Sequence, residues 1–179
     1  MTSFNGPDLF AHLFPGFFED PGIRALPAGE TFVEMILPLR EGALRPVPQP
    51  DGITFGIYDG GLAPLLEAVR EVDPDWVQYF GNGDRVLCGF DGTKPVSFCL
   101  LSDFGRYRGL RVGGPGCVGT LPEFRRRGIG LKLVQNATAI FRAEGYDVAY
   151  IHFTGVAPWY AKLGYKTVLR WSGVDGILG

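Results

Sequence analysis

Thr120-Leu121-Pro122-Glu123-Phe124-Arg125-Arg126-Arg127-Gly128-Ile129-Gly130-Leu131 is a strand that breaks at a proline and re-enters a helix through two glycines. A loop of this kind makes an anion site. The glycines expose several backbone N–H groups at the positive end of the helix dipole and leave a phosphate oxygen room to reach them. Arg125, Arg126 and Arg127 add charge at the same place. On the glycines alone the run reads better as a loosened turn with a solvated basic patch, because short glycine motifs recur by chance.

Outward from that loop the chain alternates between helical and strand periodicity. Downstream, Ile129, Leu133, Val134, Ala137, Ile140 and Phe141 have helical spacing, which predicts a helix from about Arg127 to Glu144 with Gly145 as its stop. A strand over Asp147 to Phe153, a short helix over Pro158 to Leu163 and a strand over Tyr165 to Trp171 follow. Upstream, Gly116 to Leu121 reads as a strand, reached through a glycine- and arginine-rich connection, Ser102 to Gly114. Val86 to Phe90 and Pro95 to Leu101 flank Asp91-Gly92-Thr93-Lys94, the pattern of a hairpin. Ile53 to Tyr58 reads as a strand and Leu62 to Val72 as a helix with Pro64 in its first turn. The segment up to about Glu30 and the run Arg45 to Gly52 are rich in turn residues and frame one more strand, Phe32 to Leu37. Strands and helices in this order predict an α/β or α+β three-layer domain with a mixed central sheet flanked by helices, and exclude an all-β sandwich. The expected organisation is one domain over residues 1–179: an N-terminal extension, 1–52, on a core, 53–171.

A chain of 179 residues with 46% hydrophobic content can bury its own core. A net charge of -2 leaves no basic excess for nucleic acid or an anionic membrane surface. Met1 to Phe10 has neither a basic nor an apolar leader region, and no stretch reaches the length of a membrane span, so the expected location is cytoplasmic. Cys88, Cys99 and Cys117 lie in apolar runs without metal-ligand spacing and read as buried free thiols; no metal is expected. A nucleophilic Cys117 would need His12 or His152 beside it. Gly114-Pro115-Gly116-Cys117-Val118-Gly119 matches a dinucleotide fingerprint in letters only, since it runs into Thr-Leu-Pro and not into a helix.

Trp159-Tyr160-Ala161-Lys162-Leu163-Gly164-Tyr165 changes the weight of the loop. Together the two segments resemble the GNAT acetyltransferase superfamily: Arg125, Gly128 and Gly130 fit its pyrophosphate loop, and Tyr160, Leu163, Gly164 and Tyr165 its later Tyr-x-x-Leu-Gly-Phe/Tyr element. The resemblance covers roughly Ile53 to Trp171 and implies the acyl-CoA N-acyltransferase fold with acetyl-CoA as co-substrate. By the same resemblance Arg125, Arg126, Arg127, Gly128, Ile129, Gly130 and Leu131 would bind the pyrophosphate, while Val118, Gly119 and Thr120 would pair with the pantetheine arm as an added strand does. The strands ending near Thr120 and His152 would splay around the thioester, with Gly116 and Gly119 leaving room. Tyr160 would donate a proton to the departing thiolate or hold that sulfur by a hydrogen bond, or else simply pack.

The implied reaction is direct attack by a primary amine of a small molecule or peptide, which needs a base. Cys117 to Leu121 contains no acid, which leaves His152 ahead of Asp103 and Glu71 as the candidate, or as a structural hydrogen-bonder. The family's asparagine before the tyrosine helix is replaced by Thr154-Gly155. Trp76, Tyr79 and Phe80, near Asp73 and Asp75, could line an acceptor pocket or belong to the core. One closing strand is expected to be missing after Trp171; Phe32 to Leu37 could replace it beside Tyr165 to Trp171, within the chain or across a homodimer, or the N-terminal region could serve as a lid. A CoA-binding module without catalysis and an acyltransferase for longer chains are the alternative functions.

Overall fold

The protein is described by a computed structural model over residues 4–179. Eight strands form one sheet: β1 (Thr31–Pro38), β2 (Ile53–Ile57), β3 (Val86–Asp91), β4 (Lys94–Tyr107), β5 (Leu110–Thr120), β6 (Val148–Thr154), β7 (Lys166–Ser172) and β8 (Gly176–Leu178). Their order is β2-β3-β4-β5-β6-β1-β7-β8. All pairings are antiparallel except β5 with β6. The helices are α1 (Gly6–Leu13), α2 (Pro21–Arg24), α3 (Leu62–Val72), α4 (Ile129–Ala143) and α5 (Ala157–Ala161).

α4 covers one face. Its Leu133, Val134, Ala137 and Phe141 pack with Leu87, Cys99, Leu101, Ala149 and Ile151. The alternate residues of the same strands face the other way. Val86, Cys88 and Phe98 pack with Leu65 and Val69 of α3, while Val148 and Tyr150 pack with Leu9 of α1. The period-2 alternation of β3, β4 and β6 thus assigns α4 to one layer and α3 with α1 to the other.

The structure differs from the sequence expectation at three places. The supposed connection Ser102 to Gly114 is the far end of a long hairpin, because Asp103 to Gly105 make a bulge and Arg108 (φ 49°) with Gly109 (φ 83°) make the turn. The turn-rich N-terminus contains α1 and α2, capped by Asn5, which accepts from the Asp8 N–H, and by Asp20, which accepts from Gly22 and Ile23. The closing strand expected to be missing is present in short form as β8, paired Arg170 to Leu178 and Ser172 to Gly176.

β1 lies between β6 and β7, antiparallel to both, so the sheet is continuous only through the N-terminal segment. α1 then docks on the back of β7. A Cβ on Gly6 would stand 1.8 Å from the Val168 carbonyl oxygen. Gly6→Ala is therefore expected to push α1 off the sheet at the cost of an overpacked core site, about 1–3 kcal/mol, read as a lowered thermal midpoint. An unchanged midpoint would show that α1 contributes no stability.

Candidate active site

Pro122–Phe124 form a 3-10 turn that carries the chain out of β5, and the Nε of Arg125 donates back to the Thr120 carbonyl at 3.0 Å. Arg126 (φ 62°) and Gly128 (φ 74°) are both left-handed, and α4 starts at Ile129. Left-handed residues beside a helix start turn successive N–H groups into one concavity, a nest for an anion. No side chain caps α4, so its first-turn N–H groups remain available to a ligand. Nothing lies within 4 Å of where a Gly128 Cβ would stand. At Gly130 the same atom would meet Thr120 Oγ1 at 3.2 Å and the Trp159 ring at 3.4 Å, which ties the loop closely to α5. Arg127 lies over the Phe124 ring at 5.1 Å.

β5 and β6 pair only at Val112 with Val148 and Gly113 with Ala149. Gly114 still lies against Tyr150, but past it no pairing joins the two strands on the side of the loop, which leaves them apart there. The divergence has a local cause in β5. A register shift against β4 between Phe98 and Leu100, with Cys117 at φ 46°, is a bulge, and bulges bend the strand that carries them. Val118, Gly119 and Thr120 follow the bulge; Ser97 Oγ donates to the Gly119 carbonyl at 2.9 Å and lies 2.9 Å from Thr120 Oγ1. Those bonds hold this stretch on the β4 side and leave its β6-facing side for another extended chain. A Cβ on Gly116 would make only ordinary contacts, with Ser102 Oγ at 3.8 Å and Leu100 Cβ at 4.0 Å, whereas one on Gly119 would stand 2.5 Å from the Phe98 ring; Gly119 is required by core packing and not by the gap.

Tyr160 of α5 is 7% exposed, edge-on to Trp159 at 4.8 Å. Burial pushes its hydroxyl well above the ordinary tyrosine value, and Cys99, Tyr165 and Cys117 add to the rise. It stays protonated and able to donate. Burial pushes the Cys117 thiol up to about 11, with Asp73 adding to it, and Cys88 up to about 12. All three cysteines are free. A thiolate nucleophile at Cys117 is unfavourable at neutral pH.

His152 lies on β6 three residues past the last residue paired with β5, on the face that carries α1. Its ring stacks on Phe14 at 3.8 Å and 12° and meets Phe17 edge-on at 5.3 Å. The residue that sequence reasoning missed is Glu34 of β1, which is fully buried. His152 Nδ1 is 2.8 Å from Glu34 Oε2, while the Phe153 N–H and the Trp171 Nε1–H donate to Oε1 at 3.1 and 2.8 Å. A single carboxylate inside the apolar run Thr31–Pro38 was the available signal, since a charge in a buried strand needs partners. The Tyr150 hydroxyl is buried close enough to Glu34 that the carboxylate adds to the burial that raises it.

The other candidates separate. Asp103 accepts from Gly105 N–H at the far end of the β4–β5 hairpin, which lowers its pKa, and Glu71 is exposed on α3. Phe80 is core, edge-on to Phe98; Trp76 is partly buried and Tyr79 is exposed. Asp73 caps the turn after α3, accepting from Asp75 N–H, and lies near enough to Cys117 to act on its thiol. A cavity of about 350 Å³ opens between α5, β1 and β7 beside Arg170, and none of the loop residues, Tyr160 or His152 lines it.

Residues 82–167 match the family model described as acetyltransferase (GNAT) domain. None of the curated proteins matches the sequence. Among solved structures, the fold is similar to a GCN5-related glucosamine N-acetyltransferase region of a fungal multi-domain GH3 β-N-acetylglucosaminidase (TM-score 0.65, 20% identity, 78% of this chain and 20% of that one). It is similar also to a GCN5-related N-acetyltransferase from Sphaerobacter thermophilus (0.59, 21%, 78% and 49%). An acetyltransferase of Trypanosoma brucei aligns over 64% of this chain and 92% of its own (0.54, 18%). The chain thus spans a fifth and about half of the first two and nearly all of the third. These likenesses establish the fold.

Proposed function

We propose, for a chain whose residues 82–167 match the acetyltransferase (GNAT) domain model, that it transfers the acetyl group of acetyl-CoA to a primary amine by direct attack. What supports the reading is the placing of an uncapped helix start and its left-handed loop at the open end of a gap between two parallel strands. The pyrophosphate fits the N–H groups of Arg126 to Leu131, with Arg125 and Arg127 at the rim. The pantetheine arm fits the unpaired side of Val118 to Thr120 as an added strand, which carries the thioester into the gap.

On this reading the amine enters from the face that carries α1 and α3, where Asp73 offers a carboxylate to a cationic acceptor. His152 takes the amine's proton as its nitrogen attacks the carbonyl carbon. The C–N bond forms, the C–S bond breaks, and Tyr160 donates a proton to the leaving sulfur; solvent returns the proton from the imidazolium to the phenolate. No metal takes part in these steps, and the reaction is assigned to the cytoplasm. Among the described residues no helix is long and apolar enough to cross a membrane.

The test is release of free CoA thiol from acetyl-CoA across a panel of small-molecule and peptide amines. Turnover with an amine that disappears when the amine is pre-acetylated supports the proposal. Binding of acetyl-CoA without turnover on any amine would leave a CoA-binding module, and faster turnover with longer acyl-CoA would change the donor.

A further inference from the structure

We infer that Glu34 is a positioning residue for acyl transfer: it fixes His152 in the Nδ1–H tautomer, so that Nε2 presents its lone pair to the acceptor amine. The inference rests on the function proposed above for its activity readout, and on geometry alone for its structural one. Three nitrogens meet the carboxylate at hydrogen-bond distance, and the buried Tyr150 hydroxyl lies nearby without a bond of its own. Oε1 takes the Phe153 N–H and the Trp171 indole, and Oε2 takes His152 Nδ1 at 2.8 Å. The carboxylate accepts from both N–H donors at Oε1, and with Oε2 accepting likewise the proton in the third contact belongs to the imidazole. The neutral ring then has its lone pair on Nε2, the arrangement by which a buried acid orients a catalytic base.

Three further observations converge on the pair. Glu34 is fully buried, whereas the His152 side chain is 27% exposed, so the acid is shielded and the base is reachable. Phe14 stacks on the ring at 3.8 Å and prevents it from turning away. The backbone is irregular on both sides of Glu34: β1 shifts register against β6 between Val33 and Met35 and against β7 between Glu34 and Met35. Phe153 opposite is left-handed at φ 55°. That irregularity places the His152 ring and the Phe153 N–H on one carboxylate. Left-handed non-glycine residues persist where surrounding structure over-determines them, and Glu34 supplies that restraint.

A purely structural Glu34 would serve Trp171 and Phe153 alone, and Glu34→Gln separates the two roles. Its amide oxygen can keep both of those donors, while its NH2 group faces Nδ1 and drives the ring to the Nε2–H tautomer. The variant is expected to fold, to keep KM for acetyl-CoA within about twofold, and to lose on the order of 10²- to 10⁴-fold in kcat. In a His152→Gln background Glu34→Gln should cost nothing more, because the two act as a unit. The imidazole nitrogen NMR spectrum, with only His12 as a second signal, should report Nδ1–H in the unaltered protein and Nε2–H in the variant. An Nε2–H tautomer in the unaltered protein, or an equal loss from Glu34→Gln with and without His152, would overturn the assignment. Absence of turnover on every amine would sink the proposed function and still leave the tautomer to decide the pair. Should the variant fail to fold, the spectrum of the unaltered protein decides it.

Discussion

Acetyl-CoA at a hundred times its dissociation constant is expected to raise the stability of this protein by about 2.7 kcal/mol, and Gly128→Asp to abolish that rise. For a chain of this length the gain corresponds to roughly 5–11 °C in thermal midpoint. The substitution is chosen to fold. Gly128 is the N-cap of α4, and open space surrounds it, so a side chain there meets no steric bar. Its φ of 74° is left-handed, which costs a non-glycine residue about 1–2 kcal/mol but is tolerated by aspartate better than by most. The new carboxylate would accept from the N–H groups that a pyrophosphate needs and would repel it besides. CoA should stabilise about as well as acetyl-CoA, and NADH should not. A midpoint shift that survives in Gly128→Asp would move the cofactor away from this loop.

Tyr160→Phe is expected to lower kcat by on the order of a hundredfold or more while leaving KM for acetyl-CoA within about twofold. Only the hydroxyl is removed from a ring that is buried against Trp159 and Tyr165, so the packing and the thermal midpoint should barely change. The sign of the pH dependence follows from burial. A hydroxyl raised above the ordinary value of 10.0 is protonated below its own pKa, so it remains a donor through neutral and mildly alkaline solution. The rate at high pH should therefore show no decline from Tyr160 up to about pH 10. A phenylalanine variant with undiminished kcat would make Tyr160 a packing residue and leave the thiolate to be protonated by solvent.

Much of the fold, and the loop of the candidate site, could be read from short windows. Leu62–Val72 is a helix over the predicted residues, because its apolar positions recur on one face over three turns and nothing else competes. The hairpin around Asp91 to Lys94 was legible for a similar reason, with a turn signal between two apolar runs. The far end of the next hairpin was not, since Gly113 and Gly114 look like breakers. In the structure a Cβ on Gly114 would stand 1.9 Å from the Tyr150 carbonyl oxygen, so the glycines there admit a close strand and do not interrupt one. The N-terminal helices were hidden by Pro7, Pro15 and Pro21, of which Pro7 and Pro21 lie within the first two positions of a helix.

Glu34 could be noticed in the sequence but not assigned. Its partner His152 is 118 positions away, and only the insertion of β1 between β6 and β7 makes them neighbours.

What the sequence determined by itself is local: the loop from Arg125 to Gly130, the helix it opens, and the strands and helices whose periodicities alternate along the chain. These depend on backbone freedom, propensity and side-chain period within a dozen residues, which a linear reading contains. The tertiary structure alone decided the order of the strands, the divergence of β5 from β6, and the burial of one carboxylate beneath one histidine. Those depend on which distant segments share a sheet edge, and that is settled by burying the faces of all the elements at once and not by any stretch of the chain taken separately.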